Sequence, residues 1–275
     1  MPLLTLTSDI GNQDYLVGAV KAQLLQIDPD FTLIDITHNI APFNSPQAAY
    51  VCRSALKNFP DFTYHMILVN LFETKPEQLL LAFHNNQYLL CADNGLITMI
   101  LEEKPEIVIG IPLDKKADRN TIYCAITMGK VIKQLSAGVP LQNIGTADAE
   151  YLQKNPLRPT LGENWIEGQI IFIDNFENVV VNITRKQFEE QQKGRNYRIA
   201  FKANDYIDRI SETYADVPEG SKLALFNSAG YLEIALNKGN AAGLFGLKSY
   251  SNKNSLSPGM LQSQLSYQTV RVYFE

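Results

Sequence analysis

The order in which short apolar runs and helical periods alternate is what most restricts this chain. Residues 3–7, 31–36 and 63–70 read as strands, and residues 15–26 and 46–58 between them carry apolar positions at helical spacing. A strand, helix, strand, helix, strand order cannot close as hairpins. It predicts parallel strands joined by helical crossovers that cover the sheet on both faces. Two further strand-like runs, 78–84 and 87–92, flank Asn85-Asn86, a pair that tolerates the left-handed backbone of a tight hairpin turn. Asp93-Asn94-Gly95 then turns the chain, 106–109 reads as a strand, and 123–136 reads as a helix stopped by Gly138 and Pro140.

The pattern changes past residue 147. Residues 147–164 are polar, carry Pro156, Pro159 and Gly162, and show no period, so the domain boundary is expected there. Beyond it come short β-like segments at 165–174, 179–183, 197–201, 223–226, 232–236 and 266–274. One helical insert is expected at 184–191, with Thr184 as cap and Phe188 facing inward, and 249–255 reads as a polar loop. The expected fold is therefore α/β. An N-terminal domain, 1–155, holds a mostly parallel sheet with helices on both faces, and a smaller C-terminal antiparallel β-barrel-like domain spans 165–275.

Composition removes several function classes. With 24 Lys and Arg against 29 Asp and Glu the net charge is −5, and the longest basic feature is Lys115-Lys116, so nucleic acid is not an expected partner. Three histidines (His38, His65, His84) and three cysteines (Cys52, Cys91, Cys124) are scattered without CxxC, HxxxH or HExxH spacing, which points away from a metal site and from a disulfide framework. The first residues lack the basic and apolar regions of a signal peptide. No apolar run approaches the roughly 20 residues needed to cross a bilayer. A reduced, cytoplasmic protein without metal or membrane attachment is expected.

Polar residues gather at five places. Thr7-Ser8-Asp9-Ile10-Gly11-Asn12-Gln13-Asp14 lies where the first strand hands over to the first helix, the edge at which open α/β sheets bind ligands. There Asp9 either accepts hydrogen bonds from a ribose diol or caps a turn. A single glycine rules out a GxGxxG dinucleotide site. Asp35-Ile36-Thr37-His38 with Pro42-Phe43 follows the second strand; His38 is either a turn histidine or a catalyst, and Phe43 either core or ligand wall. Asp93-Asn94-Gly95-Leu96 reads as a turn. Ile173-Asp174-Asn175-Phe176-Glu177-Asn178 and Asn227-Ser228-Ala229-Gly230-Tyr231 read as hairpin turns in the second domain. Cys124 is the one cysteine worth testing as a nucleophile, against the alternative of a buried, inert thiol.

Taken together and in this order, the five clusters resemble the family of S-adenosylmethionine hydroxide adenosyltransferases and the related chlorinases and fluorinases, from Leu3 to the last strand. The resemblance implies a nucleophile that attacks the 5′ carbon of S-adenosylmethionine and expels methionine. It needs no cofactor, because a neutral thioether leaves a sulfonium without metal or acid. It also implies a homotrimer with sites between subunits. By matched position, Asp9 would bind the ribose hydroxyls; Phe43, Phe176 and Tyr214 would sandwich adenine with Asn178 at the ring edge; Asp174 and Ser228 would hold the methionine ammonium.

The departures from the family pattern lie at the nucleophile. Hydrolase members carry Asp-Pro-Gly-Val-Gly after the third strand, an arginine beyond it, and later a Phe-His-Gly-Arg-Asp run. Here Asn70 with Leu71-Phe72-Glu73 matches the aspartate, Glu77 falls near the arginine and Tyr123 falls at the histidine, with Cys124 where fluorinase-type members place a serine. Ala229 stands where halogenases carry an arginine for the methionine carboxylate, and Glu177 replaces a glycine in the family's Phe-Gly-Asn turn. The resemblance thus implies adenosine and L-methionine formed from S-adenosylmethionine and water, with Asn70, Glu77, Tyr123 and Cys124 as an altered nucleophile shell. The alternative is a module that binds adenosine or S-adenosylmethionine without turnover.

Overall fold

A computed structural model describes residues 1–202, 205–247 and 268–275. The chain divides into two compact units, Met1–Pro156 and Leu157–Glu275. The expected polar loop at 249–255 and the start of the strand expected at 266–274 lie outside the described residues.

The first unit is built on strands β1 (Leu3–Ser8), β2 (Thr32–Thr37), β3 (Tyr64–Leu68), β4 (Gln78–His84), β5 (Gln87–Ala92), β6 (Ile107–Pro112) and the short β7 (Thr146–Ala147), in the spatial order β2-β1-β3-β5-β4-β6-β7. β2, β1, β3 and β5 run parallel, and β4 runs antiparallel between β5 and β6. The β4–β5 turn uses Asn85 at φ 47° and Asn86 at φ 58°, the left-handed pair expected of that dipeptide.

Alternation along the strands feeds two cores. Leu4, Leu6, Met66, Leu68, Leu79 and Leu81 point to α1 (Leu16–Ile27) and α4 (Thr121–Ser136). Ile67, Val69, Leu80, Ala82, Leu89 and Cys91 point to α2 (Ser45–Leu56) and α3 (Leu96–Leu101). Both faces of the inner strands are thus covered by helices, and β3, β4 and β5 are mostly apolar and buried for that reason.

The short β7 is not expected from the sequence, and further details differ from that expectation. α3 follows directly on Asp93-Asn94-Gly95: Gly95 at φ +82° starts it, and Leu96, Ile97, Met99 and Ile100 are all buried, so it has no polar face to betray a helical period. α4 begins two residues early because Asn120 accepts the Tyr123 N–H at 2.9 Å as N-cap. β6 runs three residues further, to Pro112.

The second unit is antiparallel throughout its sheet. β9 (Trp165–Ile173), β10 (Val179–Thr184), β11 (Tyr197–Lys202), β12 (Asp205–Ile207), β13 (Lys222–Phe226), β14 (Tyr231–Leu236) and β15 (Thr269–Phe274) follow the order β12-β11-β15-β9-β10-β14-β13, and β8 (Thr160–Leu161) pairs with β9. A bridge between Ile210 and Ala224 brings the β12 end of the sheet to β13 and nearly closes a barrel. α5 (Arg185–Gln192) carries the expected Thr184 cap, completed as a capping box by Gln187, and Phe188 is buried. α6 (Ala241–Leu244) packs its two alanines against the same core.

The β9–β10 turn has a cost. Glu177 adopts φ +63°, in the left-handed region. There a side chain is disfavoured by about 1–2 kcal/mol. Glu177→Gly is expected to raise the stability of the protein by about 1 kcal/mol, read as an upward shift in urea midpoint.

His65 on β3 is 1% exposed, 2.8 Å from Thr5 Oγ1 through Nδ1 and edge-on to Phe59. Burial pushes its pKa down to about 4, against a weaker upward pull from Gln87. The folded protein therefore keeps His65 neutral while the unfolded chain takes up a proton below pH ~6.5. Stability is full above that pH and falls as pH drops toward 4, by on the order of 3 kcal/mol. Urea unfolding at stepped pH should show this slope, and His65→Gln should flatten it between pH 6.5 and 5.

Candidate functional site

The carboxyl edge of the first sheet is organised around Asp9. Its Oδ2 accepts two backbone N–H groups, from Phe43 at 3.2 Å and from Asn70 at 3.1 Å. Phe43 (φ 63°) and Asn70 (φ 47°) both have left-handed backbones, a conformation that aims their N–H groups at one oxygen. The loops after β1, β2 and β3 are thereby tied to one carboxylate, whose Oδ1 has no protein donor among the described residues.

Behind Asp9 lies a second tie. Ser8, fully buried, hydrogen-bonds His38 Nδ1 through Oγ at 2.7 Å, and His38 Nε2 lies 3.2 Å from Asp35 Oδ1. Lys21 pairs with Asp35 Oδ2 at 2.5 Å. Burial opposes ionisation of Asp35, but hydrogen bonds from Lys21 and His38 outweigh it and hold the carboxyl below its ordinary value. Backbone bonds from Gly11 N–H to His38 C=O (2.7 Å) and from Ile40 N–H to Ser8 C=O (3.3 Å) complete the junction. Thus His38 is a buried junction residue, and this loop presents Phe43 outward, 63% exposed.

Asn70 carries its side chain to Glu73 Oε2 (2.9 Å), and Asn94 donates to the carbonyls of Val69 and Asn70 at 3.0 Å each. A pocket of about 430 Å³ opens beside this turn, lined among others by Glu73, Lys75, Glu77, Asp93 and Asn94. Glu77 is exposed on its wall, where no arginine stands. A cation does reach the segment from elsewhere: Arg119 donates through Nη1 to the Pro76 carbonyl.

Tyr123 is half-buried, and its hydroxyl accepts the Asp114 N–H at 3.0 Å, which pins the loop before α4. Cys124 requires a correction as a member of the nucleophile shell. It faces the apolar core at 0% exposure, and burial pushes its thiol up to about 11 despite Arg119 nearby, so it is the inert thiol of the two readings.

The second unit presents its own cluster. Asp174 Oδ1 accepts the N–H groups of Phe176 (2.9 Å) and Asn178 (2.8 Å), and its Oδ2 accepts the Asn178 amide (3.0 Å). This turn holds Phe176 out, 75% exposed, while Asn178 is buried beneath it. Tyr214 is 42% exposed and donates its hydroxyl to Glu233 Oε1 at 2.6 Å. Phe176, Asn178, Tyr214, Leu236, Asn237 and Lys238 line a groove of about 430 Å³. Two exposed aromatic rings across an apolar groove make a fitting seat for a flat heterocycle. Ser228 is exposed in the β13–β14 turn, whose Asn227 Oδ1 accepts the Ala229 and Tyr231 N–H groups.

Glu233 received no role from the sequence. It is 3% exposed on β14, flanked by apolar residues. Burial raises its pKa and the neighbouring Asp174 charge adds to that, with hydrogen bonds from Tyr214 and Asn227 pulling the other way. The signal available in sequence was an acid at an inward position of an apolar strand. Glu73 and Lys154 also went unassigned. Among the described residues no group of three or more His, Cys, Asp and Glu could hold a metal ion, and no helix is long and apolar enough to cross a membrane.

Comparison with known proteins matches both units. The SAM hydroxide adenosyltransferase N-terminal domain matches residues 4–145, and the C-terminal domain of the same family matches residues 168–252. The chain is 26% identical over 254 residues to an (R)-S-adenosyl-L-methionine hydrolase of Methanocaldococcus jannaschii, covering 89% of this chain and 92% of that one. It is 25% identical over 288 residues to a fluorinase of Nocardia brasiliensis, covering 90% and 94%. A crystal structure of an uncharacterized conserved protein from Thermotoga maritima superposes with a TM-score of 0.80 at 25% identity, over 98% of this chain and 99% of that one. With both domain matches in sequence order and together spanning most of its length, the chain belongs to the SAM hydroxide adenosyltransferase family.

Proposed function

We propose that this protein converts S-adenosylmethionine and water into adenosine and L-methionine, water attacking the 5′ carbon as methionine leaves. The observation that carries this reading is the Asp9 carboxylate, held by the Phe43 and Asn70 N–H groups with Oδ1 open, in a chain whose relatives include named S-adenosyl-L-methionine hydrolases. An ionised carboxylate fixed in that way accepts hydrogen bonds from a ribose diol without paying to reorganise.

The exposed rings of Phe43, Phe176 and Tyr214 would cover adenine, Asn178 would meet its edge, and Asp174 with Ser228 would hold the methionine ammonium. The leaving sulfur departs neutral, so the protein has only to align water with the 5′ carbon and strip away competing solvent. Neither a cofactor nor a metal is required by that step. Subunits would associate as a homotrimer, with each site shared by neighbouring subunits.

Incubation with S-adenosylmethionine and chromatography of the products should show adenosine and methionine in equal amounts. Asp9→Ala should lower kcat/KM by about 10- to 100-fold, the size expected for losing a charged hydrogen-bond acceptor. Binding of adenosine or S-adenosylmethionine in calorimetry with no product across mildly acidic to mildly alkaline pH would instead mark a binding module. Light scattering should give a mass near three times the 30.9 kDa of one chain; a monomer would refute the shared site.

A further inference from the structure

The turn after β3 joins two carboxylates through one residue. Asn70 donates its backbone N–H to Asp9 Oδ2 (3.1 Å) and its side-chain amide to Glu73 Oε2 (2.9 Å). Lys154 Nζ then reaches both oxygens of Glu73, at 2.8 and 2.7 Å. The lysine arrives from 81 residues away in sequence and is itself fixed at its backbone. Its N–H donates to Thr98 Oγ1 (2.9 Å), and its carbonyl accepts from the same hydroxyl (2.8 Å). Its aliphatic stem lies against Gly95, where a Cβ would come within 2.5 Å of Lys154 Cγ.

An ionised carboxylate offers about four lone-pair sites. Three contacts hold Glu73, which leaves room for one more donor, and Glu73 lines the 430 Å³ pocket beside Asn70 with its side chain 36% exposed. It is therefore an oriented, water-accessible base, set one residue's reach from the carboxylate proposed to hold the ribose. Such a group can accept a proton from a water bound in that pocket.

We propose that Glu73 takes the proton of the nucleophilic water, with Lys154 and Asn70 as its positioning residues; this rests on the hydrolytic reading above. As the water oxygen forms its bond to the 5′ carbon, the carbon–sulfur electron pair passes to sulfur and methionine leaves uncharged. One water proton passes to the Glu73 carboxylate, and the other remains as the adenosine 5′-hydroxyl. Lys154 holds the carboxylate in place at the pocket wall, and Asn70 links it to Asp9. A carboxylate three residues further along thus does the work that Asn70, an amide, cannot.

The test compares wild type, Glu73→Gln and Lys154→Met as full-length protein, with circular dichroism to establish folding and adenosine calorimetry to establish an intact binding site. Glu73→Gln is expected to lower kcat by about 10²- to 10⁴-fold, as for loss of a general base. Its adenosine affinity should stay within twofold, and it should lose the acid limb of the wild-type kcat profile. Lys154→Met, which removes only a positioning contact, should lower kcat less. Glu73→Gln turning over within threefold of wild type with its acid limb intact overturns the assignment while leaving the hydrolytic reading standing. Loss of folding or of adenosine binding in both variants also overturns it, because the cluster would then be a structural latch. No adenosine from wild type removes the hydrolytic reading and this inference together.

Discussion

The first unit's ligand edge depends on one carboxylate acting as a knot. Asp9 Oδ2 receives N–H groups from two loops that reach it only because Phe43 and Asn70 accept left-handed backbones. Phe43 carries a strain there of about 1–2 kcal/mol, which the hydrogen bonds to Asp9 offset, and Asn70 tolerates the conformation at less cost. Without the Asp9 side chain both loops would lose their common acceptor. The position of an exposed phenylalanine and the start of the β3–β4 connection follow from the same oxygen.

A similar arrangement governs the second unit, with a buried acid at the tip of the ring. Glu233 lies within an apolar strand because it has partners: the Tyr214 hydroxyl at 2.6 Å and the Asn227 side chain. Burying an acid without them would be costly. The consequence for the groove is a phenol held at its far end, so that its face lines the wall in one orientation instead of swinging on two free torsions.

Much of this architecture can be read from residues alone, and what cannot has identifiable causes. The strands and crossovers of the first 70 residues show as apolar runs alternating with helical periods, and Asn85-Asn86 announces its hairpin. α3 does not show, because Leu96, Ile97, Met99 and Ile100 are buried and Thr98 is its one polar residue, so it lacks the polar face that gives a helix its period. At the candidate site, the Asp174–Asn178 turn is legible as a hairpin because its contacts span few residues, whereas the bonds that tie Asp9 to Phe43 and Asn70 span 34 and 61 residues. Glu73 with Lys154, and Tyr214 with Glu233, are not legible either: each pair is brought together only by tertiary structure, across 81 and 19 residues. Cys124 shows the converse, since a helix position matched by neighbours in sequence points its thiol into the core.

The close approach of Gly95 and the Lys154 stem couples two positions that are otherwise remote. Gly95 needs its left-handed φ to start α3, and any side chain there would also strike Lys154 Cγ. Position 95 therefore cannot gain a side chain unless position 154 shortens or moves, and moving it withdraws the cation from Glu73. Over the history of such a chain the two sites are bound to vary as a pair, so that a record of substitutions at a turn glycine would report on the fate of a distant charge.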